Sequence, residues 1–390
     1  MLDGGALLHR ISWPKSVTYS DVIDIYCRYV IDKYGIASVV FDGYDGSPST
    51  KDPIHMKRSG SKKHPNVGFN LGMIVPSSKD AIFHNALNKQ RFIMFLGNEL
   101  EKRGCSVHHS NGDADTLIVT ATLKSAETKP TVLIGDDTDL LVLLLAHADL
   151  SHEPVFFAPE PKKRQKKQSR VWDIHFLKKK LGNVLCRRLL FAHAISGCDT
   201  TSRIFGMGKM QVFKKVRDDE EMAFIADQFL GVMDKADVSK HGNRAVFLIY
   251  NGNQTDCTNL DALRHIRFEE KAASSLSHVS CSSIPPTSAA TVYHAQRVYL
   301  QIQIWQLNSN LNATDWGWRN VKNNLFPLHT DMPPAPADVL RVIRCGCKGD
   351  CSTLKCSCKK HRLDCSSACK ECKGVSCSNT GNTKASVTDL

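Results

Sequence analysis

Nine cysteines crowd the stretch Cys345-x-Cys347-x3-Cys351-x4-Cys356-x-Cys358-x6-Cys365-x3-Cys369-x2-Cys372-x4-Cys377, and nothing else in this 390-residue chain so restricts what its own segment can become. Thiolates this dense in a reducing compartment bind a soft or borderline ion, and Zn²⁺ takes four of them in a tetrahedron. Nine is not divisible by four. About three Zn²⁺ satisfy the count if roughly three thiolates bridge two ions each. The other six cysteines (Cys27, Cys105, Cys186, Cys198, Cys257 and Cys281) are scattered without paired spacing. The skew argues for a metal site at one end of the chain and against a disulfide framework.

Charge is distributed just as unevenly. The chain carries 51 Lys+Arg against 39 Asp+Glu, a net +12. Residues 161–180 hold nine Lys/Arg and one Asp, and residues 345–377 hold seven Lys/Arg and three acidic residues, so these two patches account for the whole surplus. Local basicity of this kind is expected where a polyanion is met. With 42% hydrophobic and 23% charged residues, the composition is that of an ordinary globular protein and excludes wholesale disorder. No run approaches the roughly 20 apolar residues of a membrane span, and Met1-Leu2-Asp3-Gly4 does not open a secretory signal, so neither membrane nor export is expected.

Residues 1–235 alternate between helical and extended patterns. Val22, Ile25, Tyr26, Tyr29 and Val30 recur at helical spacing over Thr18–Tyr34, with Gly35 as a stop; the apolar run Ala37–Phe41 then ends at Asp42. Thr131–Ile134 likewise ends at Gly135-Asp136-Asp137, with a helix opening near Thr138 and running through Leu145. The fold class expected is α/β, with a buried, mostly parallel sheet flanked by helices. Residues 47–104 read as a mobile insertion followed by a helix from Ala81 to Leu100, and 159–170 as a charged loop. Residues 236–340 are expected to form a mixed, mainly helical extension, with a helix at about 289–307 and a linker at Pro333-Pro334-Ala335-Pro336. A small cysteine-rich zinc module at 341–380 and a disordered tail at 381–390 complete the division.

The acidic residues fall where such folds place ligands, beyond the carboxyl ends of strands. Asp42 ends one run; Asp136, Asp137 and Asp139 follow another; Asp113 and Asp115 open a helix over Ala114–Leu123; Asp199 lies in Ser196-Gly197-Cys198-Asp199-Thr200. Any one of them reads as well as a helix N-cap. Gathered in one cleft, they would repel each other unless cations lay between them, and oxygen ligands select Mg²⁺ or Mn²⁺. His108, His109 and His193 stand in apolar segments and read as satisfied core or surface histidines.

The series Val39-Val40-Phe41-Asp42-Gly43, Asp113-Ala114-Asp115, Asp136-Asp137-Thr138-Asp139, Ser196-Gly197-Cys198-Asp199-Thr200 and Gly206-Met207-Gly208-Lys209 resembles, in order and separation, the flap-endonuclease/XPG family of 5′ nucleases over roughly residues 1–220. The resemblance implies a PIN-like fold with a helix-two-turns-helix and two Mg²⁺ or Mn²⁺ ions. Those ions would be held by seven carboxylates, at Asp3, Asp42, Asp113, Asp115, Asp137, Asp139 and Asp199. Aspartates at 113 and 115 stand where the family usually has glutamates. It further implies that Lys51 and Arg58 contact the scissile phosphate, and that Gly206, Gly208 and Lys209 grip duplex backbone. Asp3 lies so near the first residue that either the sequence is truncated at its N-terminus or the protein lacks a proper first strand and is inactive.

The cysteine spacing resembles the tesmin-type CXC module, a zinc-cluster DNA-binding unit. This implies phosphate contacts from Lys348, Lys355, Lys359, Lys360 and Arg362; Leu354-Lys355 stands where the module commonly has a groove-entering aromatic. A zinc-stabilised protein-contact module is the alternative. Together the two resemblances imply a metal-dependent, structure-specific DNA endonuclease acting on branched or flap-like DNA. The run Pro161–Lys167 is expected to direct the chain to the nucleus. The rivals are a non-catalytic DNA-binding protein that kept the nuclease fold and, more distantly, an RNA-directed nuclease.

Overall fold

The computed structural model describes residues 1–43, 48–59, 65–76, 79–110, 113–160, 170–253, 255, 257–274, 283–307, 311–332, 344–360, 363–366 and 369–380. The basic run 161–167, the linker 333–336, Arg362 and the tail 381–390 lie outside them, as does the side chain of Arg58. The chain forms two units. One comprises Met1–Arg203, Gly208–Met233 and Gln296–Leu328; the other comprises Ile204–Met207, Asp234–Ala295 and His329–Leu390.

The first unit opens with β1 (Leu2–Asp3), α1 (Gly4–Arg10), α2 (Tyr19–Tyr34), β2 (Ser38–Phe41), α3 (Asp52–Ser59), α4 (Lys79–Phe83), α5 (Ala86–Lys102) and β3 (Ser106–His109). It continues with α6 (Asp115–Ala126), β4 (Thr131–Ile134), α7 (Thr138–His147), β5 (Val155–Ala158) and β6 (Trp172–Asp173). Helices α8 (Ile174–Leu181), α9 (Asn183–Ser196), α10 (Lys209–Asp218) and α11 (Glu220–Leu230) follow. The six strands form one sheet in the order β3-β2-β1-β4-β5-β6, parallel from β3 through β5, with β6 antiparallel at the edge. The expected mostly parallel sheet flanked by helices is what the chain forms.

Local sequence explains the elements that frame the site. Thr18 caps α2 in a reciprocal box with Asp21, and Gly35 ends the helix at φ +69°. Val22, Ile23, Tyr26, Cys27 and Val30 are buried along one helical stripe, against which α5 adds Phe92, Ile93, Leu96 and Leu100. Right-handed crossovers put α2 and α5 on one face of the sheet and α6 and α7 on the other. The sheet therefore reverses its strand order beside β1, the position where doubly wound sheets open a crevice.

Two expectations need correction. The first strand is present: Leu2 and Asp3 pair in parallel with β2, and Leu2 pairs also with Ile134 of β4. Two residues suffice because neighbours on both sides satisfy the backbone, and Gly4 lets α1 turn off at once. A Cβ at Gly4 would lie 2.3 Å from Phe41 and 2.6 Å from the Val40 carbonyl. The single helix expected over 81–100 is two, because Asn85 adopts an extended conformation and its side chain caps α5 by accepting from Asn88 N.

In the second unit, α12 (Lys235–Ile249) packs with α13 (Leu260–Ser274). Helix α14 (Ser288–Trp305) starts in that unit and ends in the first. In the first unit, buried Arg297 donates to Gly317 O and Leu328 O, anchoring a hairpin of β7 (Trp318–Val321) and β8 (Asn324–Pro327). The last element, α15 (Ser357–Lys360), belongs to the cysteine-rich segment. No helix among the described residues is long and apolar enough to cross a membrane.

Candidate active site and metal centres

Five parallel strands point their carboxyl ends the same way, and the aspartates collect there. Asp3 ends β1 and N-caps α1, accepting from Ala6 N at 3.1 Å. Asp42 follows β2 and accepts from Ala114 N at 3.1 Å. Asp137 follows β4 and N-caps α7, accepting from Asp139 N at 3.0 Å. Capping and gathering coincide here, since Asp3 and Asp137 each follow a strand and cap the next helix.

Oxygens of Asp115, Asp137 and Asp139 lie within 4.8 Å of one another. Asp3, Asp137 and Asp199 line an open cleft of about 650 Å³, together with Gly5, Arg10, Asp136 and Thr138. Asp137 thus belongs to both groupings. Gly5 permits the close approach of two more carboxylates, since a Cβ there would sit 3.2 Å from Asp3 Oδ1 and 3.4 Å from Asp42 Oδ2. Asp113 and Asp115 share one partner, Lys51, whose ammonium donates at 2.6 Å to Asp113 Oδ1 and at 2.8 Å to Asp115 Oδ2. Lys51 precedes α3, where Asp52 holds the hairpin by accepting from Leu325 N at 2.9 Å.

Electrostatics follow from this crowding. Burial, with Asp42 and Asp137 nearby, pushes Asp3 up to about 6 against the backbone N–H groups of Ala6 and Gly5. Burial and then Asp113 drive Asp115 well above the usual carboxylate range, although Lys51 pulls the other way. Asp137 is raised by burial and Asp139. At Asp139 burial is the largest single influence and raises the carboxyl, but the hydrogen bond from His193 and the positive charges nearby together outweigh it, and the net shift is downward. Lys51 is raised, burial being overcome by Asp115 and Asp113. Carboxylates held this close are stabilised by a cation between them. The ammonium of Lys51 serves Asp113 and Asp115 in this way, and the all-oxygen donor set of Asp115, Asp137 and Asp139 suits a hard divalent ion.

His193 was read from its apolar surroundings as a satisfied histidine. It is satisfied, but by a site residue: its Nε2 lies 2.6 Å from Asp139 Oδ1. The pairing spans 54 positions between α7 and α9, so no local pattern announces it. The glycine turn differs from its expected use. Gly206 adopts φ +74°, whereas Gly208 caps α10 with its N–H on Gln211 Oε1 at 2.8 Å. Lys209, expected on a phosphate, directs its ammonium to Gly197 O at 2.8 Å and lies over the His193 ring, 3.0 Å from Nδ1 and 3.3 Å from Nε2. Burial of that ammonium lowers its pKa.

The second candidate centre is the cysteine-rich segment. All nine thiols pack together; seven are buried and Cys347 and Cys377 are partly so. Sulfurs approach to 3.5 Å between Cys358 and Cys369, 3.6 Å between Cys345 and Cys351 and 3.8 Å between Cys356 and Cys365. Four tetrads have sulfurs close enough to share an ion: 345/347/351/356, 345/356/358/365, 345/365/369/372 and 351/365/372/377. Overlapping tetrads are what bridging thiolates produce, and Cys345 and Cys365 each recur in three of them. Asn379 closes the segment, donating to Leu363 O at 2.9 Å while its carbonyl accepts from Cys365 N. Lys348, Lys355 and Lys360 are exposed, and Lys359 donates to Ser352 O at 2.6 Å.

No protein-family model matches the sequence, and no curated protein does. Among solved structures, similarity is found to the catalytic core of Rad2 in complex with DNA substrate. The identity is 14% over 70% of this chain and 71% of that one, with a TM-score of 0.36. Similarity is also found to the T5 D15 protein co-crystallised with metal ions, at 15% identity over 68% of this chain and 92% of that one, with a TM-score of 0.35.

Proposed function

We propose that this chain is a divalent-metal-dependent nuclease that hydrolyses phosphodiester bonds in branched or flap-bearing DNA, and that its cysteine-rich end is a zinc-held DNA-binding module. The observation that carries the reading is the meeting of Asp115, Asp137 and Asp139 oxygens within 4.8 Å of one another, with a lysine ammonium already drawn to Asp115. Mg²⁺ or Mn²⁺ bound there would supply the charge that lowers the pKa of water and stabilises a leaving oxygen. The chain's own contribution is placement. Asp115, Asp137 and Asp139 hold one position; Asp3, Asp42, Asp113 and Asp199 extend the acidic surface toward the open cleft, through which a strand can enter. Lys51, with Arg58 seven residues on, would stabilise charge on the phosphate oxygens. With Lys209 turned inward, duplex contact on α10 falls to Lys214 and Lys215.

About three Zn²⁺ would be shared among the nine thiolates. Lys348, Lys355, Lys360 and Arg362 would meet DNA phosphates there, and the basic run 161–167 would take the protein to the nucleus. One observation favours the rival, a non-catalytic DNA-binding protein: Lys51 neutralises Asp113 and Asp115 without any metal.

Cleavage decides between them. The full chain should cut flap-bearing DNA with Mg²⁺ or Mn²⁺ but only bind it with Ca²⁺, and Asp137→Asn should slow cutting by about two orders of magnitude or more. Binding without divalent-dependent cutting, with Asp137→Asn indistinguishable from the parent, selects the rival.

A further inference from the structure

We infer that His193 is a positioning residue that fixes the orientation of the Asp139 carboxylate toward a divalent cation. The inference rests on the reading of Asp115, Asp137 and Asp139 as a cation site.

His193 is buried in α9, and the ring of Trp305 closes one side of it with centroids 5.7 Å apart. Nε2 is 2.6 Å from Asp139 Oδ1, and the Lys209 ammonium lies over the ring, 3.0 Å from Nδ1 and 3.3 Å from Nε2, while donating to Gly197 O at 2.8 Å. An ionised carboxylate has acceptors and no donor, so Nε2 carries a proton and donates it to Asp139 Oδ1. One oxygen of Asp139 is thereby engaged, and Oδ2 is the one left to a cation.

An unfastened carboxylate can turn about its last torsion and present either oxygen. Groups that hold a metal-binding side chain by its far atom remove that freedom, and losing them typically weakens metal binding by 10–100-fold.

Mn²⁺ titration of the zinc-loaded, full-length protein, followed by the electron paramagnetic resonance of the free ion, tests this without recourse to activity. His193→Phe should weaken Mn²⁺ binding about 10–100-fold, and His193→Gln, whose amide can donate to Asp139, should restore most of it. His193→Leu, which also lacks a donor and suits the apolar surroundings in α9, should weaken Mn²⁺ binding to the same degree. If His193→Phe does not fold, the His193→Leu result decides. Parent-like binding in both variants, with Asp137→Asn abolishing it, overturns the positioning role and leaves the cation site standing. A parent protein that takes up no Mn²⁺ overturns both.

Discussion

At the scale of single residues, the account turns on carboxylates that are uncomfortable without a cation. Asp3 shows how that discomfort is measured. Its pKa rises from the ordinary 3.8 to about 6 on folding, so the folded chain holds the proton more tightly than the unfolded chain does. The associated stability is fully present below about pH 3.8 and is lost as the pH rises through about 6, amounting to roughly 3 kcal/mol. Asn at this position keeps the cap on Ala6 N and carries no charge. Asp3→Asn should therefore raise the melting temperature of the Mg²⁺-free, zinc-loaded protein at pH 8, and the gain should vanish at pH 4; thermal denaturation at both values measures it. The aspartates were legible in the sequence because each directly follows or precedes a run whose hydrophobic pattern is local. His193 was not, since what distinguishes it from a core histidine is a partner 54 residues away.

At the scale of elements, close approach rather than propensity places the site. The sequence pattern located α2, β2, β4 and α7 to within a few residues, for their apolar spacing and stops are written in consecutive positions. It missed β1, because a two-residue strand has no periodicity to read; only the pairing with β2 and β4 makes Leu2–Asp3 a strand. The break between α4 and α5 was hidden for a related reason, as His84 and Asn85 sit inside an otherwise helical pattern until Asn85 turns extended. The cysteine segment depends on one tight passage. Gly374 adopts φ +69°, and a Cβ there would lie 2.4 Å from the Cys365 carbonyl. Backbone cannot yield at that distance as a side chain could, so Gly374→Ala should shift the strand of chain bearing Cys365. Zinc released to a chelator, read by absorbance, should appear faster from this variant than from the parent, with Mn²⁺ binding elsewhere unchanged.

At the scale of the whole molecule, charge and chemistry are segregated along the chain. The surplus of +12 is confined to residues 161–180 and 345–377, and the carboxylates of the site lie in the balanced remainder of the chain. The first stretch, Pro161–Lys167, has the composition that import receptors bind. Changing Lys163 and Arg164 to Ala in a tagged protein should move it from nucleus to cytoplasm, as imaging would show. Asp115, Asp137 and Asp139 are read as a cation site beside which Lys51 already balances the charge of Asp115. Anomalous scattering from crystals soaked in Mn²⁺ decides this. The expected result is a manganese peak within coordination distance of those three carboxylates, with the Lys51 ammonium withdrawn from Asp115. Crystals with no peak there, and with Lys51 still bridging Asp113 and Asp115 at saturating Mn²⁺, would contradict it.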